Sequence, residues 1–174
     1  LKELKFDNTS LKSTLTYNIV MAEYIKTQKL QVLKDIRLLL LKERYATVAK
    51  FLMSIPGIGQ LTAATLLVEI GDIKRFDNFE KLNSFIGFYP SQFSSGESIR
   101  MGSITTRKHH RLRSLLLEAA WMSIRNDPAM LMAFNDFKNK VGGKRAIIKI
   151  ARKLLSRIRY VWTNQKEYEK GVVH

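Results

Sequence analysis

A serine-rich segment beside a cluster of cations is the part of this sequence best suited to chemistry at phosphate. The segment runs from residue 89 to residue 102 and contains Ser94, Ser95 and Ser98. Cations lie within it and soon after it, namely Arg100, Arg107 and Lys108. A serine hydroxyl attacks phosphorus only where neighbouring groups assist it and stabilise the developing charge, which Arg and Lys can do. The residues alone leave a second interpretation open, in which 89–102 is a solvated polar loop.

A short glycine-containing segment, Ile-Pro-Gly-Ile-Gly at residues 55–59, predicts a second element for phosphate contact. Its proline and glycines end one helix, and a helical pattern resumes at Thr62. Two helices joined in this way are typical of a helix-hairpin-helix motif, whose second helix begins with free backbone N–H groups that can face a phosphate. We therefore predict DNA-backbone contacts at Gly57, Ile58 and Gly59. An ordinary turn between helices is the alternative.

The net charge of +15 is concentrated in two acid-free segments of the 174-residue chain. Residues 99–117 carry five cations and residues 138–166 carry ten, which together match the whole net charge. Such a surface attracts polyanions, with nucleic acid as the first candidate and an anionic membrane as the second. The cations that we predict to contact a DNA backbone are Arg111, Arg113, Lys144, Arg145, Lys149, Arg152 and Lys153. A solvated basic face without a partner is the alternative.

Few residues suit metal or thiol chemistry. The chain has no cysteine, which excludes disulfides, cysteine-ligated zinc and thiol catalysis. His109 and His110 are adjacent, so on a helix they point about 100° apart and form a poor metal pair. Glu69 and Asp72 are a close carboxylate pair, but two-metal chemistry needs several convergent carboxylates. We expect no metal site and no other cofactor in this chain.

Helical periodicity covers most of the chain and predicts an all-α fold. Residues 12–53 contain no Gly or Pro and indicate either one long helix or a helical pair. Because a helix of that length usually pairs with another, we expect a coiled-coil-like arm over residues 1–53. Packing of this helix on its own domain is the alternative. A compact helical domain over 54–166 and a frayed tail over 167–174 complete the expected division.

Within the compact domain, apolar spacing predicts further helices separated by turn residues. The predicted ranges are 62–70, 79–87, 105–125, 128–138 and 144–162, with a loop at 89–102. The last helix is strongly amphipathic, with Ile147, Leu154 and Ile158 on its apolar stripe. No run of about 18 apolar residues occurs, so we expect no membrane span.

Taken in order, several of these segments resemble the C-terminal half of insertion-sequence transposases of the IS-one-ten type, a family that includes Piv-type DNA invertases. The matching stretches are Ser54 to Gly59, Leu67 to Asp72, Phe85 to Pro90, Ser95-Gly96, Ile104, and Leu112-Arg113 through Ala119-Ala120. They cover residues 54–120, and the helical arm before them also fits the family's layout. The sequence departs from the family after Lys108, where His109 and His110 replace a usual glycine.

The resemblance implies a DNA transposase or site-specific recombinase with a serine nucleophile. Family members combine an N-terminal RuvC-like domain with four metal-binding acids, a coiled-coil connection and a C-terminal domain that carries the serine. The serine before Gly96 matches the nucleophile position, so the resemblance implies that Ser95 attacks a DNA phosphate and holds a transient phosphoserine link. Ser94 is the alternative register and Ser98 a third candidate. We expect Arg100, Arg107 and Lys108 to stabilise charge at this site.

The resemblance also implies what accompanies this chain. Because the sequence begins at Leu1 and carries no RuvC-like half, we expect a fragment of a longer transposase that is inactive alone. A divalent metal, Mg²⁺, is expected in that missing N-terminal domain. The expected partners are DNA at the element ends and target, a guide RNA of the kind that some members use, and further copies of the chain through the arm, giving a homodimer or higher oligomer. We expect no membrane partner and a location in the bacterial cytoplasm, on the nucleoid.

Two other functions fit the same residues. A non-enzymatic helix-hairpin-helix protein of DNA repair or chromosome architecture would use residues 55–64 and 144–159 and give Ser95 no chemical role. An RNA-binding module would place a structured RNA on the basic C-terminal helix. A covalent protein–DNA intermediate distinguishes the first from a transposase, and the ratio of structured-RNA to duplex binding addresses the second.

Overall fold

The computed structural model describes residues 8–88, 90–95, 98–104 and 109–171, and for residues 90–104 the backbone alone. In these ranges the helices are α1 Thr9–Leu40, α2 Glu43–Met53, α3 Gln60–Ile70, α4 Phe79–Ile86, α5 His110–Asn126, α6 Pro128–Val141 and α7 Gly143–Asn164. A 3₁₀ turn at Ile73–Arg75 precedes α4. The architecture is all-α, as predicted, with one small exception between α4 and α5.

That exception is an antiparallel hairpin of two strands, β1 Pro90–Ser95 and β2 Ser98–Ile104. It lies where the sequence predicts a loop, so the loop prediction is wrong. The strands pair through their backbones, which needs no particular side chains, and residues 90–104 lack the apolar alternation by which strands are recognised. Nothing in the composition therefore distinguishes this hairpin from a solvated segment.

The chain divides into two compact units, residues 1–39 and residues 40–174. The expected division placed residues 40–53 with the arm, whereas the structure groups them with the second unit. In the first unit, α1 begins after Asn8, whose Oδ1 accepts the Ser10 N–H at 2.9 Å. Large apolar side chains are exposed along α1, among them Tyr17, Met21 and Tyr24.

The predicted helical range 12–53 is a helical pair, because α1 ends at Leu40 and α2 begins at Glu43. Lys42 between them has an extended backbone, and its carbonyl accepts the N–H groups of Tyr45 and Ala46 at 2.8 and 2.9 Å. Because no Gly or Pro marks this break, the sequence does not distinguish one long helix from a pair of helices.

Helix α7 lies in the middle of the second unit, since α2, α4, α5 and α6 all contact it. Its predicted apolar stripe is confirmed, with Ile147, Leu154 and Ile158 all buried. Burying one such side chain stabilises the fold by about 1.5–3 kcal/mol, so α7 contributes much of the core. Among the helices of the described ranges, none is both long and apolar enough to cross a membrane.

The turn between α2 and α3 packs tightly against the backbone of α5. Gly57 has φ +94°, and a Cβ added there would lie 2.4 Å from the Ala119 carbonyl oxygen and 2.8 Å from the Ser123 nitrogen. On either side of it, Ile55 and Ile58 are buried. Only glycine fits this position, because a side chain would both strain the backbone and collide with α5.

We expect Gly57→Ala to destabilise the second unit by about 2–4 kcal/mol, since strain at positive φ adds to overpacking against α5. The measurement is the free energy of unfolding in urea. Gly143→Ala is the matched control, because a Cβ there meets nothing within 4 Å, and it should change stability little. Equal stability of Gly57→Ala and the wild type would show that this contact does not fix the turn.

Candidate nucleic-acid interface

The start of α3 presents backbone N–H groups that the helix itself does not use. Gly59 is the N-cap residue, has an extended backbone and offers no side-chain cap. The first bond back to it comes from the Ala63 N–H, which donates to the Gly59 carbonyl at 2.9 Å. Gly59, Gln60 and Leu61 are all exposed. An exposed helix start of this kind attracts anions through its free amides and its dipole.

The three residues predicted to contact DNA here have different roles in the structure. Gly59 is exposed and consistent with contact, whereas Gly57 packs against α5. At Ile58 the structure leaves no group for DNA, since its side chain is buried and its N–H donates to the Ile55 carbonyl at 3.0 Å. We correct that assignment, because apolar residues of the turn fill the core and only the following amides face outward. The helix-hairpin-helix interpretation stays a prediction.

Helix α7 carries a basic face opposite its buried stripe. Arg145, Lys149, Arg152 and Lys153 lie within about 100° of the helix circumference. Arg145 and Lys149 are exposed, as is Lys144 in the first turn, whereas Arg152 and Lys153 are half-buried. In the part of the chain that the structure describes, no carboxylate forms an ion pair with any of these five side chains. Lys149 Nζ lies 5.0 Å from the centroid of the Phe137 ring, which orients it without neutralising it.

The start of α5 carries the other two cations that we predict to contact a DNA backbone. Arg111 is exposed, and Arg113 is half-buried. Leu112 between them is fully buried and anchors this end of the helix in the core. Arg107 and Lys108, which precede α5, lie outside the described residues.

Two cations of the C-terminal acid-free segment form hydrogen bonds within the second unit. Arg157 Nη1 donates to Asp127 Oδ2 at 3.1 Å, and its guanidinium lies 5.1 Å from the centroid of the Tyr168 ring. Arg159 Nη2 donates to the Asp77 carbonyl at 3.2 Å. The charge available to a polyanion is therefore smaller than the sequence count implies.

Asp127 connects three parts of the second unit and was not recognised from the sequence. It is buried, and its Oδ1 accepts the Ala129 N–H at 3.0 Å, capping α6. Its Oδ2 accepts from Arg157 of α7 and from the hydroxyl of Tyr168. The Asn-Asp-Pro sequence indicates a helix boundary, where an aspartate often caps the following helix. No local pattern indicates the partners of Asp127 on α7 and in the tail.

The C-terminal tail is anchored at Tyr168, in contrast to the frayed tail expected over 167–174. Besides its hydroxyl bond to Asp127, the Tyr168 N–H donates to Ser54 Oγ at 2.8 Å, and Glu167 pairs with Lys50 at 2.7 Å. Burial, followed by the hydrogen bond to Asp127, raises the pKa of the Tyr168 hydroxyl above its ordinary value. The phenol therefore stays protonated, as a donor to a carboxylate requires.

The candidate serines lie on the β-hairpin, of which only the backbone is described. Ser95 ends β1 and is paired with Ser98, the first residue of β2, while Ser94 is opposite Ile99. Arg100 of β2 is opposite Phe93. The pairing brings Ser95, Ser98 and the neighbouring Arg100 to the same end of the hairpin, but the positions of their side chains stay predictions.

Among the residues considered for metal binding, Glu69, Asp72 and His109 have partners within the protein. Asp72 accepts the Lys74 N–H at 2.9 Å and so caps the 3₁₀ turn. His109 Nδ1 lies 3.8 Å from Glu69 Oε2, and the His109 ring packs on Phe85 with centroids 4.3 Å apart. In the described residues no group of three or more His, Cys, Asp or Glu side chains could hold a metal ion.

Comparison with known proteins shows a family to which part of the second unit belongs. Residues 49–134 match the family model described as "Transposase IS116/IS110/IS902 family". This range begins in α2 and ends in α6, and so includes the turn at Gly57, the β-hairpin and α5. The chain contains a transposase domain of this family.

Individual curated proteins are also similar to this chain. The transposase for insertion sequence element IS1111A of Coxiella burnetii is 33% identical over 123 residues, which cover 68% of this chain and 34% of that protein. The pilin gene-inverting protein of Moraxella bovis is 35% identical over 127 residues, or 71% of this chain and 39% of that protein. An IS110 insertion-element protein of Streptomyces coelicolor is 32% identical over 108 residues. The transposase-family chain thus spans two fifths or less of the length of these curated relatives.

We expect Tyr168→Phe to destabilise the second unit by about 1 kcal/mol at neutral pH, because it removes a hydrogen bond to a charged carboxylate. The loss should shrink as pH rises above 10.0, the ordinary tyrosine pKa. Above this pH Tyr168 ionises in the unfolded wild-type chain but stays protonated in the folded chain. Ionisation favours the unfolded state, so the stability of the wild type falls, whereas that of Tyr168→Phe does not. Urea unfolding at several pH values measures this difference.

The control for this comparison is Tyr160→Phe, since Tyr160 is exposed on α7 and its hydroxyl has no partner among the described contacts. It should alter neither the stability nor its pH dependence. A Tyr168→Phe variant as stable as the wild type at neutral pH would contradict the anchoring role of the tail.

Proposed function

We propose that this chain is the DNA-binding, serine-bearing part of a transposase or site-specific recombinase. The observation that supports it best is the family match over residues 49–134. The relatives whose names state an activity include a transposase and a pilin gene-inverting protein. A role in moving or inverting DNA segments is common to both.

The DNA surface that we propose consists of the start of α3 and the basic face of α7. Free amides at a helix start bind a phosphate without reading sequence, and exposed Lys and Arg side chains release counterions when they neutralise phosphates. Both features belong to the second unit, and neither is occupied by a protein partner within the described residues. The contacts are expected to position the protein on DNA, with sequence choice made elsewhere.

We expect Lys149→Ala and Arg152→Ala each to weaken duplex binding several-fold. Each variant should also make the slope of log K against log salt shallower by about one, because one fewer counterion is released. Fluorescence anisotropy at four salt concentrations gives both quantities. The matched control is Lys26→Ala on α1, an exposed lysine outside the proposed surface. Unchanged affinity and slope in both α7 variants would exclude this face.

For the chemical step we propose Ser95 as the nucleophile. Its hydroxyl oxygen would form a bond to a DNA phosphorus, the bond from phosphorus to one deoxyribose oxygen would break, and the hydroxyl proton would pass to the departing oxygen. Reversal by another strand's hydroxyl would rejoin DNA and release the serine. Arg100, Arg107 and Lys108 are proposed to stabilise the phosphorane-like charge. Ser94 is the alternative nucleophile, in the other register of the resemblance.

We expect a covalent protein–DNA adduct from a transposase of full family length that contains this chain, incubated with element DNA and divalent metal. Denaturing gels and mass spectrometry should show the adduct in the wild type and in Ser94→Ala, and none in Ser95→Ala. An adduct lost only in Ser94→Ala would move the role to that residue. A wild type that binds DNA tightly but forms no adduct would favour a non-enzymatic, architectural protein.

The remaining parts of the active enzyme are proposed to come from outside this chain. We assign the Mg²⁺-binding acids to a RuvC-like domain of the full-length protein, so that the isolated chain binds DNA without cleaving it. The exposed apolar residues of α1, including Tyr17, Met21 and Tyr24, support assembly into a homodimer or higher oligomer. A guide RNA is a further partner that the basic face of α7 could accept.

A further inference from the structure

We propose that a groove between α6, α7 and the C-terminal tail receives one unpaired nucleotide whose base carries an amino group. This inference rests on the proposed function, because it adds a pocket beside the proposed nucleic-acid surface. No residue of the groove was among those predicted from the sequence, with the exception of Lys153.

The groove has a volume of about 550 Å³ and polar as well as apolar walls. Its lining includes Met132 and Asp136 of α6, Lys153, Ser156 and Tyr160 of α7, and Tyr168 of the tail. Pockets for small ligands commonly measure about 300–1,000 Å³, so a nucleotide fits. The bonds of Asp127 to Arg157 and Tyr168 hold the α7 and tail walls together, which makes the groove a formed site.

Two large apolar or aromatic side chains of this groove are unusually exposed. Tyr160 is 57% exposed and Met132 is 61% exposed, although both line a concave surface. In the described residues Tyr160 has no aromatic or cationic partner over its ring. An unpaired base stacks readily on such a ring, and unstacked bases are the usual targets of aromatic side chains in nucleic-acid recognition.

The basic face of α7 leads directly to Tyr160. Residues on one face of a helix recur every three or four positions. The residues of α7 that share one face in this way are Lys149, Arg152, Lys153, Ser156 and Tyr160. Lys153 belongs both to the basic face and to the groove lining. A strand whose phosphates follow the cations would therefore bring its next base to the groove.

The carboxylates of the groove select among bases. Asp136, Glu167 and Glu169 line it, and Glu167 is engaged by Lys50. An ionised carboxylate only accepts hydrogen bonds, so it favours the amino groups of adenine, cytosine or guanine and opposes the carbonyl of thymine or uracil. Asp136 and Glu169 are both exposed, and neither forms an ion pair among the described residues. We assign the preference to Asp136, because helix α6 holds it in place whereas Glu169 lies in the tail.

The test uses fluorescent duplexes with a central one-nucleotide bulge of adenine, thymine or an abasic site, and an unbulged duplex. Anisotropy with the chain of residues 1–174 should show about tenfold tighter binding of the adenine bulge than of the abasic bulge, the effect of one stacked base. The thymine bulge should bind several-fold more weakly than the adenine bulge, because its ring can stack but its carbonyl groups meet the carboxylate. A parallel series uses RNA for the bulged strand. The nucleic acid, DNA or RNA, that shows the larger adenine preference is the one that supplies the nucleotide.

Variants separate the groove from the phosphate contacts. Tyr160→Ala should abolish the adenine preference and leave binding of the unbulged duplex unchanged, whereas Tyr160→Trp should keep the preference. Asp136→Asn should retain stacking but bind thymine and adenine bulges alike, because an amide both donates and accepts. Thermal unfolding of each variant checks that the exposed substitutions leave the fold intact.

Equal binding of adenine and abasic bulges by the wild type, with duplex binding retained, would overturn the groove proposal alone. An adenine preference that survives in Tyr160→Ala would do the same. Failure of the wild type to bind any of the nucleic acids would overturn the proposed DNA surface, and the groove proposal with it.

Discussion

The close approach of the turn at Gly57 to the backbone of α5 is the contact on which the arrangement of the second unit depends. A hydrogen is the largest group that fits between this turn and Ala119. The contact sets where α3 begins, and therefore where its free amides lie. It also sets the position of α5, whose first residue follows the serine-bearing hairpin and whose inner face packs on α7. One glycine thus relates the proposed phosphate site at α3 to the rest of the domain.

A second constraint determines which cations can bind DNA. The buried carboxylate of Asp127 needs compensation, and Arg157 supplies it from the same helix that carries the basic face. Helix α7 therefore performs two tasks, with cations near its start facing solvent and Arg157 and Arg159 near its end fixing the fold. Counting charges in the sequence cannot separate these groups, since both occur in one acid-free run.

The features that could be predicted from the sequence are those encoded by local periodicity. The helices at 60–70, 79–86, 128–141 and 143–164 follow their apolar spacing, and Gly71 and Pro128 lie at the expected helix boundaries. The β-hairpin was missed because backbone pairing leaves no apolar pattern. The anchoring of Tyr168 to Ser54 and Asp127 was missed because it joins residues far apart in the chain. At the turn, the proline and glycines correctly predict a break between two helices. Which residues of the turn face the core depends on how α5 packs against it, and this cannot be read from the local sequence. The role of Ser95 stays a prediction from resemblance, since the structure describes only its backbone.

We propose that duplex DNA lies over the start of α3 and the basic face of α7, and not over the residues that anchor the tail. Titration of isotope-labelled chain with a short duplex, followed by amide NMR, tests it most directly. We expect chemical-shift changes at Gly59 to Thr62 and at Lys144 to Lys153, with little change at Arg157 and Tyr168. Saturating duplex that shifts the tail residues but leaves both predicted segments unperturbed would contradict it.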